Sequence, residues 1–312
     1  MKSLITYIQE SLITEGGHSI EDAQPIRGDL AKKVADEIIK VIKDKFNCEC
    51  ASLGSVGKKT KDQTSGDIDI ALEYDWDNYQ DVLDFVKNKF NCPIGNINNN
   101  LHVFNIGYSY VDGEEEKLVQ VDFMFTDNVE FAQFAYNSPD FTKNESKYKG
   151  MYQSALLMAI ISNTPVIDIL GKEYDKELFT TEYDGKYNGQ VKSFWKLYFD
   201  QNQGLKAEHK SFEGKTKPLK SASTIKGDTK IITKNINEIL HKCLGASATK
   251  DTCKTFENEL SYIVSNNYKY KSKEQLEKIR DTFINDWQLK MKTSQELMKE
   301  FEILFNEEIK KL

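Results

Sequence analysis

No stretch of this 312-residue chain stays apolar for long. The longest run, 155–161 (ALLMAII), falls far short of the roughly 20 residues that a bilayer-spanning helix needs, so no membrane partner is expected. The N-terminus has one early lysine, no sustained apolar core and no small-residue cleavage site, which argues against a secretory signal. Cysteine is sparse: five residues, widely scattered, make no disulfide framework and fit a reducing cytoplasm. Positive charge is in deficit too, with 42 Lys/Arg against 49 Asp/Glu, which argues against a protein that coats nucleic acid. No repeat at solenoid or propeller spacing is present.

What the chain does have is aromatic mass and an uneven charge distribution. Seventeen Phe and 15 Tyr can bury enough surface to build a core, and the length suits about two domains. Residues 200–312 carry 21 Lys/Arg against 17 Asp/Glu, which leaves residues 1–199 with a net charge of −11. An acidic front half and a mildly basic back half allow separate roles, such as metal chemistry in one and polyanion contact in the other.

Periodicity predicts the elements. Helical spacing marks 2–14, 28–46 (Leu30, Val34, Ile38, Val41, Ile42) and 78–90. Strand patterns mark 50–54, 67–74, 101–111 and 117–125, the last two forming a hairpin around Asp112-Gly113. Helix returns from about 128 and most clearly at 144–163. A second hairpin is expected over 178–200 around Asp184-Gly185, and the Lys/Gly/Ser-rich stretch 203–230 reads as a linker. From 233 to the end the pattern is helical. The fold class is therefore α+β: a small mixed sheet flanked by helices over 1–135, then a mostly helical domain with a β-hairpin insertion over 136–312.

Chemistry concentrates in 53–70, LGSVGKKTKDQTSGDIDI. Strand positions two apart share a face, so Asp67 and Asp69 point together while Ile68, Ile70 and Leu72 point into the core. Side-by-side carboxylates repel and gain nothing structurally, but a hard divalent cation reverses that cost. On 119–125, Val119, Val121, Phe123 and Phe125 share the apolar face and leave Asp122 on the other. If the two strands are neighbours, three carboxylates meet, a set suited to a pair of Mg²⁺ ions about 3.5–4 Å apart. Gly54 lets a backbone approach a polyphosphate and Ser55 can donate to it. Lys58 and Lys59 could neutralise charge there.

Leu53-Gly54-Ser55, an eleven-residue spacer, Asp67-Ile68-Asp69-Ile70 and the later Asp122 resemble the signature of the DNA polymerase β-type nucleotidyltransferase superfamily. The leader with Gly16-Gly17 and the GSVGKK…SGDIDIAL stretch resemble nucleotidyltransferases of large tailed bacteriophages. The motif resemblance covers about residues 50–125. It implies a nucleotidyltransferase catalytic domain, an NTP as donor and Mg²⁺ or Mn²⁺ as cofactor. A nucleic-acid 3′ end, RNA included, is the acceptor it implies first, with cyclic or short oligonucleotide synthesis and a non-catalytic nucleotide-binding scaffold as alternatives. Asp67 and Asp69 would bind both metals, Asp122 would complete one site and draw the proton from the acceptor hydroxyl, and Gly54 and Ser55 would hold the β/γ-phosphates. Lys147, Lys149 and Tyr152 are candidates for triphosphate and base contacts, against a plain reading as a solvated helix start. The location it implies is cytoplasmic, the host cytoplasm if the chain is phage-encoded.

Cys48 and Cys50 are too close in sequence for a metal knuckle, and His241, Cys243 and Cys253 match no standard zinc spacing. The C-terminal Leu297, Phe301, Leu304, Phe305 and Ile309 read as a core helix rather than a zipper.

Overall fold

The computed structural model describes residues 19–136, 148, 150–174, 178–180, 191–213 and 223–312. The helix expected over 2–14 lies outside them. The chain divides into two compact units, one ending at Lys147 and the other beginning at Tyr148.

The first unit runs β1 (Ile26–Arg27), α1 (Gly28–Phe46), β2 (Cys50–Ser52), β3 (Thr64–Ser65), β4 (Asp67–Glu73), a 3-10 turn (Trp76–Asn78) and α2 (Tyr79–Phe90). It continues through β5 (Ile94–Asn98), β6 (Val103–Asp112), β7 (Glu115–Thr126) and α3 (Val129–Ala135). Five strands form one sheet in the order β2-β4-β7-β6-β5. Within it β4 and β7 are parallel, and the remaining pairs are antiparallel.

Helix α1 forms because Ala31, Val34, Ala35, Ile38 and Ile42 fall on one buried face. It stops at Asn47, which takes the left-handed conformation (φ 50°) and returns its N–H to the Lys43 carbonyl at 2.9 Å. That face packs with α2 (Val82, Leu83, Val86) onto alternate residues of the sheet: Ile68, Ile70 and Leu72 of β4, Phe104 and Ile106 of β6, and Val119, Val121 and Phe123 of β7. Each large apolar side chain buried there contributes about 1.5–3 kcal/mol. On the other face, Leu53 and Ala71 meet Val129 and Ala132 of α3 in a smaller cluster. The Asp112-Gly113 turn forms as expected, with Asp112 facing Glu115 and Gly113 at φ 71°. Two features carry no strong signal in the sequence: the Asn- and Gly-bearing edge strand β5, and the two-residue ladder between β1 and β3.

The second unit comprises α4 (Gly150–Ser162), α5 (Ile167–Leu170), a 3-10 turn (Lys172–Tyr174), β8 (Leu178–Thr180), β9 (Val191–Asp200), β10 (Gly204–Glu213) and β11 (Ser223–Thr233). Helices α6 (Ile236–Cys243), α7 (Phe256–Val264), α8 (Lys273–Ile284), α9 (Trp287–Lys292) and α10 (Gln295–Lys310) follow, with a 3-10 turn at Lys250–Cys253. The four strands make an antiparallel sheet in the order β11-β10-β9-β8.

This corrects the linker expected at 203–230, most of whose described residues are strand, and it enlarges the expected hairpin to four strands. Two of its charges are internalised: Glu208 is fully buried, and Lys206 is 4% exposed and reaches Asp200 at 2.6 Å and Glu208 at 3.3 Å. The Asp184-Gly185 turn lies outside the described residues. The C-terminal helix is a core helix as expected, with Phe301 packed among Tyr148, Phe256 and Phe283 at ring separations of 4.8–5.3 Å. Among the described residues no helix is long and apolar enough to cross a membrane.

Candidate metal and nucleotide site

The parallel ladder sets Asp69 directly beside Asp122, and Asp67 beside Gln120. Because the apolar neighbours of all three aspartates go to the α1 side of the sheet, their own side chains share the opposite face. There, Asp67, Asp69 and Asp122 each offer a carboxylate oxygen, and these oxygens all lie within 4.8 Å of one another. Farther along the same face α3 covers Ala71. Its start is fixed by Asn128, whose side chain accepts the Phe131 N–H at 2.8 Å.

The trio is electrostatically costly. Burial pushes the Asp69 carboxyl well above its usual range, and the charges of Asp67 and Asp122 push it further. Burial and the charge of Asp67 push Asp122 up to about 7, against a hydrogen bond from Gln120 that favours ionisation. Asp122 is only 7% exposed. A crowded, partly buried set of carboxylate oxygens is a hard-donor cluster whose repulsion a divalent cation relieves, so these residues fit Mg²⁺ or Mn²⁺.

Beside the acids runs the turn that follows β2. The Leu53 N–H bonds the Asp69 carbonyl at 2.9 Å, continuing the β2–β4 ladder to the turn. Gly54 then takes φ 59°, and a Cβ there would sit 3.3 Å from Asp69 Oδ2. Both the left-handed backbone and the close approach call for glycine. Ser55 Oγ lies 3.1 Å from Ser65 Oγ, which ties the start of the spacer to its end.

The two lysines differ. Lys58 is largely desolvated, and burial alone lowers its ammonium to about 8. Lys59 donates to the Thr64 carbonyl at 2.8 Å, and its own backbone packs so closely on Gly28 that a Cβ there would fall 2.4 Å from the Lys59 carbonyl oxygen. Lys59 therefore helps close the spacer loop onto α1.

The structure thus brings together Asp67, Asp69, Asp122 and Gly54, with Ser55 next to Gly54. Lys147 and Lys149 lie outside the described residues. Tyr152 belongs to the second unit, where its ring is buried at 5.0 Å from Phe301, so the expected base contact is corrected to a core packing role. Among the described residues, Cys243 and Cys253 are buried free thiols outside any metal-ligand group. Sequence reasoning missed three buried polar residues around the acids: Ser65, Asn105 and Gln120. Asn105 stands opposite Asp122 on β6 and accepts the Asn96 N–H at 2.7 Å. The alternation that found Asp122 also puts Gln120 on its face, and that signal could have found it.

An acidic trio on adjacent parallel strands beside a Gly-Ser turn is a set of hard oxygen donors that could hold a metal ion. No protein-family model matches the sequence, and no curated protein matches it. Among solved structures the chain is similar to polymerase beta of Leishmania infantum. In a ternary gap complex the likeness has 13% identity and a TM-score of 0.35, over 58% of this chain and 62% of the polymerase. In a ternary P/T complex it has 13% identity and a TM-score of 0.33, over 51% and 65%. The chain spans less than two thirds of that polymerase's length.

Proposed function

We propose that this protein is a metal-dependent nucleotidyltransferase that moves a nucleoside monophosphate from an NTP to a hydroxyl, with a nucleic-acid 3′ end as the acceptor. The observation that carries this reading is the convergence of Asp67, Asp69 and Asp122 to within 4.8 Å beside a glycine turn, an arrangement with no structural benefit of its own. The residues of the first unit make up the catalytic domain.

In this reading Asp67, Asp69 and Asp122 hold two divalent ions. Bound there, the ions supply neutralisation of the phosphoryl oxygens and acidification of the acceptor hydroxyl. Gly54 lets the triphosphate approach the turn, and Ser55 donates to it. Lys58, already desolvated, gains more from a phosphate than a hydrated lysine does. Lys59 adds charge from the loop wall. The acceptor oxygen forms its bond to the α-phosphorus and Asp122 takes its proton. The bond from the α-phosphorus to the bridging oxygen breaks, and pyrophosphate leaves with the electron pair. The contribution of the chain is in-line positioning and a fixed field at the reacting phosphate.

The test is to incubate the full chain with each labelled NTP and Mg²⁺ or Mn²⁺, with and without RNA, next to Asp67→Ala/Asp69→Ala. Label on a polymer end supports the proposal. Label in a short or cyclic oligonucleotide without primer replaces the acceptor. No metal-dependent turnover and no NTP binding leave a scaffold.

A further inference from the structure

The third carboxylate is not left to find its own rotamer. Gln120 lies two residues before Asp122 on β7, on the same face, and is 2% exposed. Its Nε2 donates to Asp122 Oδ1 at 2.8 Å. Its Oε1 accepts from both the backbone N–H of Ser19 at 3.1 Å and the Ser19 hydroxyl at 2.8 Å. An amide has one acceptor end and one donor end. Two donors from Ser19 claim the acceptor end, so the NH₂ end has to face Asp122, and a flipped amide would set two donors against Ser19 and an oxygen against a carboxylate.

The neighbouring strand leaves room for this. On β6 the residue opposite Gln120 is Gly107, where a Cβ would meet Ile20 and Pro93 at 2.9 Å. A side chain at that position would displace Ile20, the residue that follows Ser19. The Gln24 N–H bonds the Leu118 carbonyl at 2.8 Å, which anchors the same segment along β7. The segment before β1 is thus pinned to the sheet at the residues that orient Asp122.

We propose that Gln120 is a positioning residue for the Asp122 carboxylate, and that Ser19 sets the orientation of its amide, so that docking of the segment before β1 tunes the affinity of the acidic trio for its metal. This deepens the reading of the trio as a metal site and rests on it. Groups that orient metal ligands typically cost about 10–100-fold in affinity when removed.

The experiment measures Mn²⁺ binding to the full-length chain by electron paramagnetic resonance, so it needs no turnover. Gln120→Met keeps the volume and removes the hydrogen bond, and it is expected to weaken Mn²⁺ binding about tenfold. Ser19→Ala, which keeps the backbone donor, is expected to weaken it roughly threefold, the size of one lost neutral hydrogen bond. In an Asp122→Asn background, Gln120→Met is expected to add nothing further, because its effect runs through that carboxylate. Circular dichroism melting accompanies each variant, and Ser19→Ala carries the test if Gln120→Met does not fold. Unchanged affinity in both variants, or an equal further loss in the Asp122→Asn background, overturns the proposal while leaving the metal site standing. If Asp67→Ala/Asp69→Ala binds Mn²⁺ as tightly as the natural chain, the metal site itself is wrong and the proposal falls with it.

Discussion

Each unit holds a cluster of buried carboxylates, and the Asp200–Glu208 pair and the Asp67–Asp69–Asp122 trio are treated in opposite ways. In the second unit Asp200 and Glu208 have their cation built in: Lys206 sits at 2.6 and 3.3 Å from them. Burial pushes the Asp200 carboxyl up, but the hydrogen bond and charge of Lys206 win and hold it below its usual range. In the first unit the influences on Asp69 are burial and the neighbouring acids, all raising it. Among the described residues neither Asp69 nor Asp122 forms an ion pair with a basic side chain. Lys206 compensates Asp200 and Glu208 within the fold, whereas for Asp69 and Asp122 a neighbouring acid adds to the effect of burial.

The contrast can be broken in four ways. The largest effect is expected at the trio. Asp69→Asn should lower nucleotide transfer on the order of 10³-fold with little loss of stability, since it relieves repulsion. Transfer assays beside thermal melting check this, and a variant that keeps its activity would remove the reason for treating the two clusters differently. Lys206→Met should do the reverse, costing about 3 kcal/mol of stability because it strands the buried Glu208 and the half-buried Asp200. Denaturant unfolding measures it, and an unchanged midpoint would mean the second cluster is not self-neutralised.

The pH response sharpens the comparison further. Asp69 and Asp122 hold their protons more tightly folded than unfolded, so without metal the folded state binds more protons across about pH 4 to 7. Their contribution is fully present below the unfolded value and is lost as pH rises through the folded one. In chelator the melting temperature should therefore fall across that window. Mg²⁺ should raise it more at pH 8 than at pH 5, and a hundredfold excess over the pH 8 Kd corresponds to a stabilisation of about 2.7 kcal/mol. A pH-independent Mg²⁺ effect would point to binding elsewhere. The smallest effect is expected from Gly54→Ala, which takes on a left-handed backbone cost of about 1–2 kcal/mol and crowds Asp69. Calorimetry reads the stability part, and a neutral variant would show that the turn tolerates a side chain.

How much of this was legible in the sequence depends on whether one face of an element is apolar. Residues 67–73 and 119–125 alternate cleanly, so their register relative to the core, and with it the side on which the acids project, follows from the residues alone. That β4 and β7 are neighbours does not follow from either strand: it is a matter of topology. Strand β10 was hidden because Lys206 and Glu208, which read as solvent residues, are buried as a pair. Gln120 was visible by period but carried no chemical signal until its partners were in place. Tyr152 shows the opposite error, an aromatic next to lysines that turned out to pack with other rings.

The parallel pairing of β4 with β7 has a consequence for the life of the molecule. A hairpin can zip up locally, but parallel neighbours need a long crossover, and here the chain between the two acidic strands runs from residue 74 to residue 114. During synthesis the first two aspartates emerge long before their third companion. The acidic trio is therefore completed late and all at once, when the last central strand inserts between two already made, and a chain that stops short of β7 cannot assemble it.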